Sequence, residues 1–225
     1  MRDPIEIVFF DIGGVMYDDT VYARALHTAL RNLGAVFTDE EFDRVYREAR
    51  AAQSGSFRRL LATRFLGPDA DIGALEVEAA RHWAYPATAL EPDVRACLES
   101  LAGRYRLGII ANQPSAVKDA LRRDGLAPYF GVWGVSDDVG FDKPDPRLFQ
   151  HALASAGVPP DRAVMVGDRL DYDIRPAKVV GMRAVWLLRG EAPDDPTEEQ
   201  LAEPDGAIRG LGELPGVLTR LERLP

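Results

Sequence analysis

Short apolar runs alternate with amphipathic stretches along most of the chain. Five runs have the length of buried strands, and a sixth at 206–208 is weaker: 5–10, 106–111, 132–135, 163–166 and 184–188. Apolar residues at helix spacing separate the later runs, as at Val94, Leu98 and Leu101. Strands that alternate with helices form right-handed crossovers, with helices on both faces of one sheet. The pattern therefore predicts an α/β protein with a doubly wound, Rossmann-like parallel sheet as its core.

Residues 18–90 interrupt this alternation, because they contain no convincing strand. Their apolar residues follow a helical period instead, and Thr38 followed by three acids is typical of a helix start. We predict an all-α helical cap inserted after the first strand. The core domain would comprise residues 1–17 and 91–225, and the cap domain residues 18–90. The cap helices are predicted over 21–33, 39–52, 57–65 and 72–83.

An acidic residue and two glycines follow the first predicted strand. Asp11 closes the run 5–10, and Gly13 and Gly14 stand just behind it. Glycines in this position indicate a tight turn of the backbone at the sheet edge. In doubly wound sheets, ligands bind outside the carboxyl ends of the strands, which is where Asp11 is expected.

A second set of acids follows the fourth predicted strand. The run 163–166 is followed by Gly167 and Asp168, and Asp171 and Asp173 come soon after it. Lys143 lies between the two acidic motifs in sequence. Each feature alone has an ordinary explanation, since aspartates near a helix start cap it and a lysine before a proline is often exposed. Together at one sheet edge, they suggest a divalent metal and an anionic substrate.

Composition narrows the class of protein. A chain of 225 residues is long enough for one sizeable core, and its 46% hydrophobic and 28% charged residues are ordinary for a globular protein. The formal charge of −9 argues against a nucleic-acid partner, because phosphate backbones need clustered Lys and Arg. A local pocket can still be positive on an acidic protein.

Features of membrane and secreted proteins are missing from the pattern. No apolar run approaches the roughly 20 residues of a membrane span, so no membrane partner is expected. Residues 1–4 lead directly into a strand and lack the pattern of a signal peptide. Cys97 is the single cysteine, so it has no partner for an intrachain disulfide. We predict a cytoplasmic location.

Two aromatic residues and two arginines each admit two roles. Trp83 and Tyr85 end the proposed cap and are expected to pack its core, although they could line a substrate pocket. Arg169 and Arg189 follow strand ends. Either arginine could meet an anionic substrate, and a surface position is equally compatible with the sequence.

The order of four motifs resembles the haloacid dehalogenase-like hydrolase superfamily. The motifs are residues 11–15, 109–112, 143–146, and 166–168 with 173–174. The stretches 143–149 and 167–174 are the most specific, and the similarity covers essentially the whole chain. The helical insertion resembles the first cap class of that family. The resemblance therefore implies a phosphatase-type hydrolase with a helical cap.

The resemblance also implies catalytic and metal-binding roles. Asp11 would attack phosphorus to give an aspartyl-phosphate, and Lys143 would neutralise the phosphate and the nucleophile. Mg²⁺ would bridge the two anions, because it prefers oxygen ligands. Asp171 is an alternative to Asp173 as a ligand, but Asp173 fits the family register better. The implied metal ligands are Asp11, Gly13 through its carbonyl, Asp168 and Asp173.

Substrate binding is implied for three residues. Lys143 would contact the phosphate, the backbone N–H near Gly14 would cradle its oxygens, and the Asn112 amide would donate to it. The family usually has Ser or Thr where this chain has Ala111. The loss of one neutral hydrogen bond costs about 0.5–1.5 kcal/mol, so this departure is modest.

A second departure concerns acid–base catalysis. The family has an acid two residues after the nucleophile, and this chain has Gly13 there. Losing such a group typically costs about 10²–10⁴ in rate. Asp18 or Asp19 could replace it if the loop folds back, and otherwise both are ordinary solvated acids. An acyl or aryl phosphate would need the missing acid least.

The leading hypothesis is a magnesium-dependent phosphatase that acts on a small phosphorylated metabolite. The alternative from another class is a non-catalytic scaffold that keeps the fold and binds phosphate and magnesium, which Gly13 and Ala111 support. A haloacid dehalogenase is a third hypothesis, but related dehalogenases lack the paired acids seen at Asp168 and Asp173. The chain is expected to be a monomer or a homodimer.

Overall fold

The structure is a computed structural model that describes residues 4–223. Residues 1–3 and 224–225 of the predicted core domain therefore lie outside the described residues, as does most of the expected N-terminal stretch 1–4. Within the described part, the strands are β1 (Ile7–Phe10), β2 (Arg106–Ala111), β3 (Phe130–Val135), β4 (Ala163–Gly167), β5 (Arg183–Leu187) and β6 (Gly206–Ile208). The helices are α1 (Thr20–Asn32), α2 (Asp39–Ala52), α3 (Phe57–Leu66), α4 (Ile72–Ala80), α5 (Val94–Ala102), α6 (Val117–Arg123), α7 (Ser136–Val139), α8 (Pro146–Ala156), α9 (Arg175–Val179), α10 (Glu198–Ala202) and α11 (Leu214–Arg223).

All six strands form one parallel sheet in the order β3-β2-β1-β4-β5-β6. The chain moves outward from β1 to β2 and β3, and then returns to the other side of β1 with β4. The direction of winding therefore reverses beside β1, which is where ligands bind in doubly wound sheets. The predicted α/β class and doubly wound parallel sheet are confirmed.

Strand β1 is buried on both faces, which explains its unbroken apolar run. Its side chains alternate between two clusters, because successive residues of a strand point to opposite faces. Val8 and Phe10 pack in one cluster with residues of α5, α6 and α11. Ile7 and Phe9 pack in the other cluster with residues of α8 and α9. The core of the sheet is therefore closed on both sides by helices.

Helices α1 to α4 form a separate layer, which we call the insert (residues 18–90). They share a hydrophobic cluster of their own, in which Leu26, Leu30, Leu61 and Leu75 are fully buried. Thr38 begins α2 with a capping box, because its hydroxyl accepts from the Glu41 N–H and the Glu41 carboxylate accepts from the Thr38 N–H. The helical character of this segment was predicted, while the division into two domains stays a prediction.

Two neighbouring chain segments, residues 16–18 and 89–91, connect the insert to the sheet, and we call them the paired crossings. The Asp18 N–H donates to the Ala89 carbonyl at 2.8 Å, and the Glu91 N–H donates to the Met16 carbonyl at 2.9 Å. Tyr17 and Leu90 form an antiparallel bridge between them. The insert thus leaves and returns to the sheet through one short paired segment.

Helix α4 ends earlier than its pattern predicts. It stops at Ala80 rather than near residue 83, and the following chain turns back toward the sheet. Trp83 packs edge-on against Tyr22, with ring centroids 5.8 Å apart, and Tyr85 stacks on Tyr17 at 4.5 Å. These aromatic contacts favour the turn over another helical turn. The expectation that both pack the cap core is wrong for Tyr85, which is buried in the cluster of the sheet. Trp83 packs against that cluster from one side and against Tyr22 of α1 from the other.

Within residues 4–223, none of the helices combines the length and the apolar character that crossing a membrane requires.

Candidate active site

The ends of β1 and β4 bring two of the predicted acids together. Phe10 and Val166 are paired in the parallel register, and the Asp11 N–H donates to the Val166 carbonyl at 2.9 Å. Asp168 therefore leaves β4 beside Asp11. Each of Asp11, Asp168 and Asp173 offers a carboxylate oxygen, and these atoms lie within 4.8 Å of one another.

Asp173 reaches the cluster from a single π-helical turn that follows β4, Leu170–Ile174. The Asp173 N–H donates to the Arg169 carbonyl at 3.0 Å, and the Arg169 N–H donates to the Asp173 carboxylate at 3.0 Å. This reciprocal pair fixes the buried carboxylate toward the sheet edge. Asp171 on the same turn points elsewhere, because its carboxylate pairs with the Arg169 guanidinium at 2.7 Å.

Lys143 lies between two of these acids. Its Nζ is 2.9 Å from the Asp11 Oδ1 and 2.5 Å from the Asp173 Oδ1, and the side chain is only 2% exposed. Burial acts to lower the pKa of Lys143, but the charges of Asp11 and Asp173 outweigh it and raise the pKa overall. The lysine is therefore charged at neutral pH. We call Asp11, Lys143, Asp168 and Asp173 the acidic floor.

Asn112 holds the main chain of Lys143. Its Oδ1 accepts from the Lys143 N–H at 2.6 Å, and its Nδ2 donates to the Lys143 carbonyl at 2.9 Å. Both polar atoms of the amide are thus used to position the lysine. Phosphate binding by Asn112 stays a prediction, and the positioning contact is a role that the sequence did not reveal. Ala111, just before it at the end of β2, is fully buried.

The electrostatics of the acidic floor favour a cation. Three carboxylates face one lysine, so the floor carries excess negative charge. Burial raises the pKa of Asp168 well above its usual value, and the charges of Asp173 and Asp11 raise it further. A divalent ion would relieve this repulsion, and clustered carboxylate oxygens are the ligands that Mg²⁺ prefers. The residues present therefore fit the predicted magnesium site.

Gly14 lies against the acidic floor in a conformation that suits glycine. Its φ is +65°, and an added Cβ would overlap the Asp168 carboxylate. The Gly14 N–H donates to the Tyr17 carbonyl at 2.8 Å. This amide is already engaged, so the structure does not support the expectation that Gly14 binds a phosphate oxygen. Gly13 lines the cavity above the floor, and metal binding through its carbonyl stays a prediction.

Asp19 fills the space that a side chain at Gly13 would take. An added Cβ at Gly13 would lie 2.6 Å from the Asp19 Oδ1 and 3.1 Å from the Tyr85 hydroxyl. The φ of Gly13 is outside the left-handed region, so its backbone does not need glycine. Burial raises the pKa of Asp19 well above its usual value, and the nearby Asp168 carboxylate adds to the effect. Asp19 thus brings a carboxylate beside position 13.

Asp18, the other residue considered for this position, is used differently. Its carboxylate accepts from the Thr20 N–H at 2.9 Å and from the Thr20 hydroxyl at 2.6 Å. This contact gives a partner to the first N–H of α1, which has none within the helix. Of the two neighbouring acids, Asp19 lines the cavity and Asp18 does not.

A cavity of about 640 Å³ stands above the acidic floor. One side is lined by sheet-end loops, including Gln113 and Glu191, and the other by the insert. We call the insert residues Tyr22, Arg58, Glu76 and Trp83 the insert wall. Apart from Trp83, these residues could not be predicted from the sequence, because helical periodicity does not show which polar side chains face a cavity.

The two arginines after strand ends have separate environments. Arg169 lines the cavity, and its guanidinium pairs with Asp171 and, at 2.8 Å, with Glu191. Arg189 donates to the Asp93 carboxylate at 2.8 Å and to the Gly14 carbonyl at 3.3 Å. Arg189 therefore holds the loop after β1 in place, and it does not line the cavity.

Residues 5–181 match a family model described as haloacid dehalogenase-like hydrolase. A phosphoserine phosphatase of Thermus thermophilus is 35% identical over 84% of this chain and 74% of its own. A glyceraldehyde 3-phosphate phosphatase of Methanothermobacter thermautotrophicus is 31% identical over 81% of this chain and 85% of its own. The crystal structure of a phosphatase of the same superfamily from Thermococcus onnurineus superposes with a TM-score of 0.62, at 30% identity, over 95% of this chain and 98% of that chain.

Proposed function

The chain belongs to the haloacid dehalogenase-like hydrolase family and is a hydrolase of its phosphatase type. We propose that it hydrolyses a small phosphorylated metabolite through an aspartyl-phosphate on Asp11. The observation that carries the proposal is the acidic floor. Three carboxylates converge within 4.8 Å at the topological switch point, with Lys143 bound between two of them.

Asp11 is the proposed nucleophile. Its carboxylate lines the cavity and is 15% exposed, so a phosphate group can reach it. The carboxylate oxygen would form a bond to phosphorus while the bond from phosphorus to the leaving-group oxygen breaks. Lys143 would hold the orientation of Asp11 and offset the negative charge that develops on the phosphoryl oxygens.

Magnesium is the proposed cofactor, held by the carboxylates of Asp11, Asp168 and Asp173. When bound, it supplies the positive charge that allows two anionic groups to approach each other. The buried, mutually repelling acids support this assignment, since isolated charges inside a protein are costly unless they are paired or bind a metal.

Asp19 is the proposed proton donor and acceptor. Its carboxylate lies beside Gly13, two residues from the nucleophile in sequence, where an added Cβ would be 2.6 Å away. It would donate a proton to the departing oxygen and then accept one from the water that hydrolyses the aspartyl-phosphate. With Asp19 in this place, glycine at position 13 does not leave the site without an acid. The acid comes from the insert, whereas position 13 belongs to the loop after β1.

The insert is proposed to act as a cap over the acidic floor. It contributes Arg58, Glu76 and Trp83 to the cavity. Its chain connections to the sheet are the paired crossings at residues 16–18 and 89–91, and the end of α2 also contacts the core, where the Leu170 N–H donates to the Gln53 side chain. A cap excludes water and selects the substrate. Phosphoserine and glyceraldehyde 3-phosphate, which the relatives' names give as their substrates, are both small enough to be candidates.

The test is phosphate release from p-nitrophenyl phosphate and acetyl phosphate. We expect turnover with Mg²⁺, loss of turnover in EDTA, and recovery when Mg²⁺ is returned. Asp11→Asn should lower the rate by on the order of 10⁴-fold or more, because removing a covalent nucleophile has effects of that size. Asp18→Asn is the matched control, since the carboxylate of that residue accepts from the first N–H of α1. Circular dichroism of each variant establishes that it is folded.

Other outcomes would favour the alternatives. Binding of Mg²⁺ and phosphate with no turnover over a broad phosphate panel would support the non-catalytic scaffold. Chloride release from 2-chloropropionate in the presence of EDTA would support a dehalogenase, a reaction that gives no role to Asp168 and Asp173. The cytoplasmic location, the monomeric or homodimeric state, and the absence of nucleic-acid and membrane partners stay predictions.

A further inference from the structure

Two buried polar atoms at the cavity have no hydrogen-bond partner within the described residues. They are the indole Nε1 of Trp83 and the amide Oε1 of Gln113. Both residues line the cavity. Buried donors and acceptors are nearly always paired in proteins, because an unpaired group loses its hydrogen bonds to water. One donor and one acceptor therefore stand ready for a ligand with matching groups.

An ion pair of the insert wall lines the same cavity. The Arg58 guanidinium lies 2.9 Å from the Glu76 carboxylate, and their side chains are 38% and 45% exposed. At such exposure the two charges hold each other only weakly, since water screens them. Each group can therefore turn to an opposite charge on a ligand at little cost. The planar guanidinium of Arg58, with its parallel N–H donors, also matches the geometry of a carboxylate.

A connected row of side chains links the unpaired atoms to this ion pair. The Gln113 amide donates to the Tyr85 hydroxyl at 3.0 Å, and Tyr85 packs edge-on against Trp83 at 5.0 Å between ring centroids. Trp83 packs against Tyr22, which lies beside Arg58. Burial raises the pKa of Tyr22 to about 12, with Arg58 opposing the shift. The row is thus a continuous polar and aromatic surface along the cavity.

We propose that this row is the leaving-group subsite, and that it selects phosphate esters whose leaving group carries both a carboxylate and an ammonium group, as in an amino-acid phosphate. Arg58 takes the carboxylate and Glu76 takes the ammonium. The Trp83 N–H donates to the carboxylate beside Arg58, and the Gln113 carbonyl accepts from the ammonium beside Glu76. This inference rests on the proposed phosphatase function and adds the class of substrate.

The first test compares four esters that separate the two charges. O-phosphoserine carries both, 3-phosphoglycerate only the carboxylate, O-phosphoethanolamine only the ammonium, and glyceraldehyde 3-phosphate neither. We expect kcat/KM for phosphoserine to exceed that for each single-charge ester about 10-fold or more, because hydrogen bonds to charged groups are strong. Glyceraldehyde 3-phosphate should be the poorest of the four.

Variants of the ion pair should change this order selectively. Relative to p-nitrophenyl phosphate, Arg58→Met should lower kcat/KM about 10- to 100-fold for the two carboxylate esters. Glu76→Gln should instead lower it for the two ammonium esters. Trp83→Phe should lower kcat/KM for phosphoserine about 3- to 10-fold, because the indole N–H is lost while an aromatic ring remains. Trp133→Phe is its matched control.

Matched charge controls lie on the same insert. Arg59 is exposed on α3 next to Arg58 and does not line the cavity, and Glu48 is exposed on α2. Arg59→Met and Glu48→Gln should leave the order of the four esters unchanged. A change as large as that of Arg58→Met would show that general surface charge is responsible, and would overturn the proposal.

Binding separates this inference from the proposed function. Calorimetric titration of the Asp11→Asn variant with Mg²⁺ should show phosphoserine bound more tightly than the other three esters, whether or not the wild type turns over. Equal affinities, together with turnover of p-nitrophenyl phosphate, would overturn the subsite and leave the phosphatase function intact. Absence of turnover for every ester would overturn the proposed function, and the binding order would then decide the subsite.

Discussion

The acidic floor and the insert wall border one cavity but differ in how their charges are held. In the floor, Lys143 and Asp173 are 2% and 1% exposed, and each is fixed by short polar contacts. In the wall, Arg58 and Glu76 are 38% and 45% exposed and pair mainly with each other. Buried charges that are held by short contacts suit a step whose geometry is constant. Exposed charges that are easily re-paired suit the choice among substrates.

The strongest test of this contrast is the removal of the floor's positive charge. Lys143→Met should lower kcat about 10²- to 10³-fold, because the phosphoryl oxygens lose a preorganised charge. The loss should be similar for phosphoserine and p-nitrophenyl phosphate, measured as initial rates of phosphate release. It would also leave Asp11 and Asp173 unpaired, so the variant should be destabilised by about 3–5 kcal/mol in urea unfolding.

The control for that prediction is Lys178→Met, since Lys178 pairs with Asp205 on the surface, outside the cavity. A Lys143→Met effect that depended strongly on the leaving group would contradict the contrast between floor and wall, because substrate choice would then depend on the floor.

Asp19 offers a sharper test, because it comes from the insert but lies against the floor. Asp19→Asn should lower kcat/KM, which reports the phosphoryl-transfer step, about 10²-fold for an alkyl phosphate such as phosphoserine, which needs a proton on its leaving oxygen. The effect should be much smaller for p-nitrophenyl phosphate, whose leaving group departs as an anion. Rates for both substrates are compared with those of Asp18→Asn. Equal losses on the two substrates would exclude proton donation by Asp19.

The smallest predicted effect concerns the space shared by positions 13 and 19. Gly13→Asp should destabilise the protein by about 1–3 kcal/mol, because the new Cβ would lie 2.6 Å from the Asp19 carboxylate. The double variant Gly13→Asp with Asp19→Gly should recover much of this stability in thermal unfolding, and regain activity on alkyl phosphates. Equal instability of the single and double variants would mean that the two side chains do not compete for one space.

The floor was easier to predict from the sequence than the wall. A parallel sheet places the residues after β1 and β4 side by side, so Asp11 and Asp168 could be brought together from the two apolar runs alone. The third acid needed the family register to choose between Asp171 and Asp173. The structure places Asp173 in the cluster and pairs Asp171 with Arg169.

The wall depends on contacts that a periodic pattern does not contain. The apolar residues of α3 and α4 predict which faces pack together, but they do not show that Arg58 and Glu76 meet over the cavity. The early end of α4 likewise results from Trp83 and Tyr85 packing toward the sheet. Between Asp18 and Asp19, only the burial of one carboxylate and the contact of the other with the first N–H of α1 separate the two roles.

The paired crossing at residues 16–18 and 89–91 has one more consequence. Asp19 stands a single residue beyond it, at the base of α1, so any swing of the insert about this crossing would carry the carboxylate along. An acid at position 13 would instead remain with the nucleophile. In this chain, the proposed proton donor would therefore move together with the proposed leaving-group subsite, and an open insert would leave Asp11 without it.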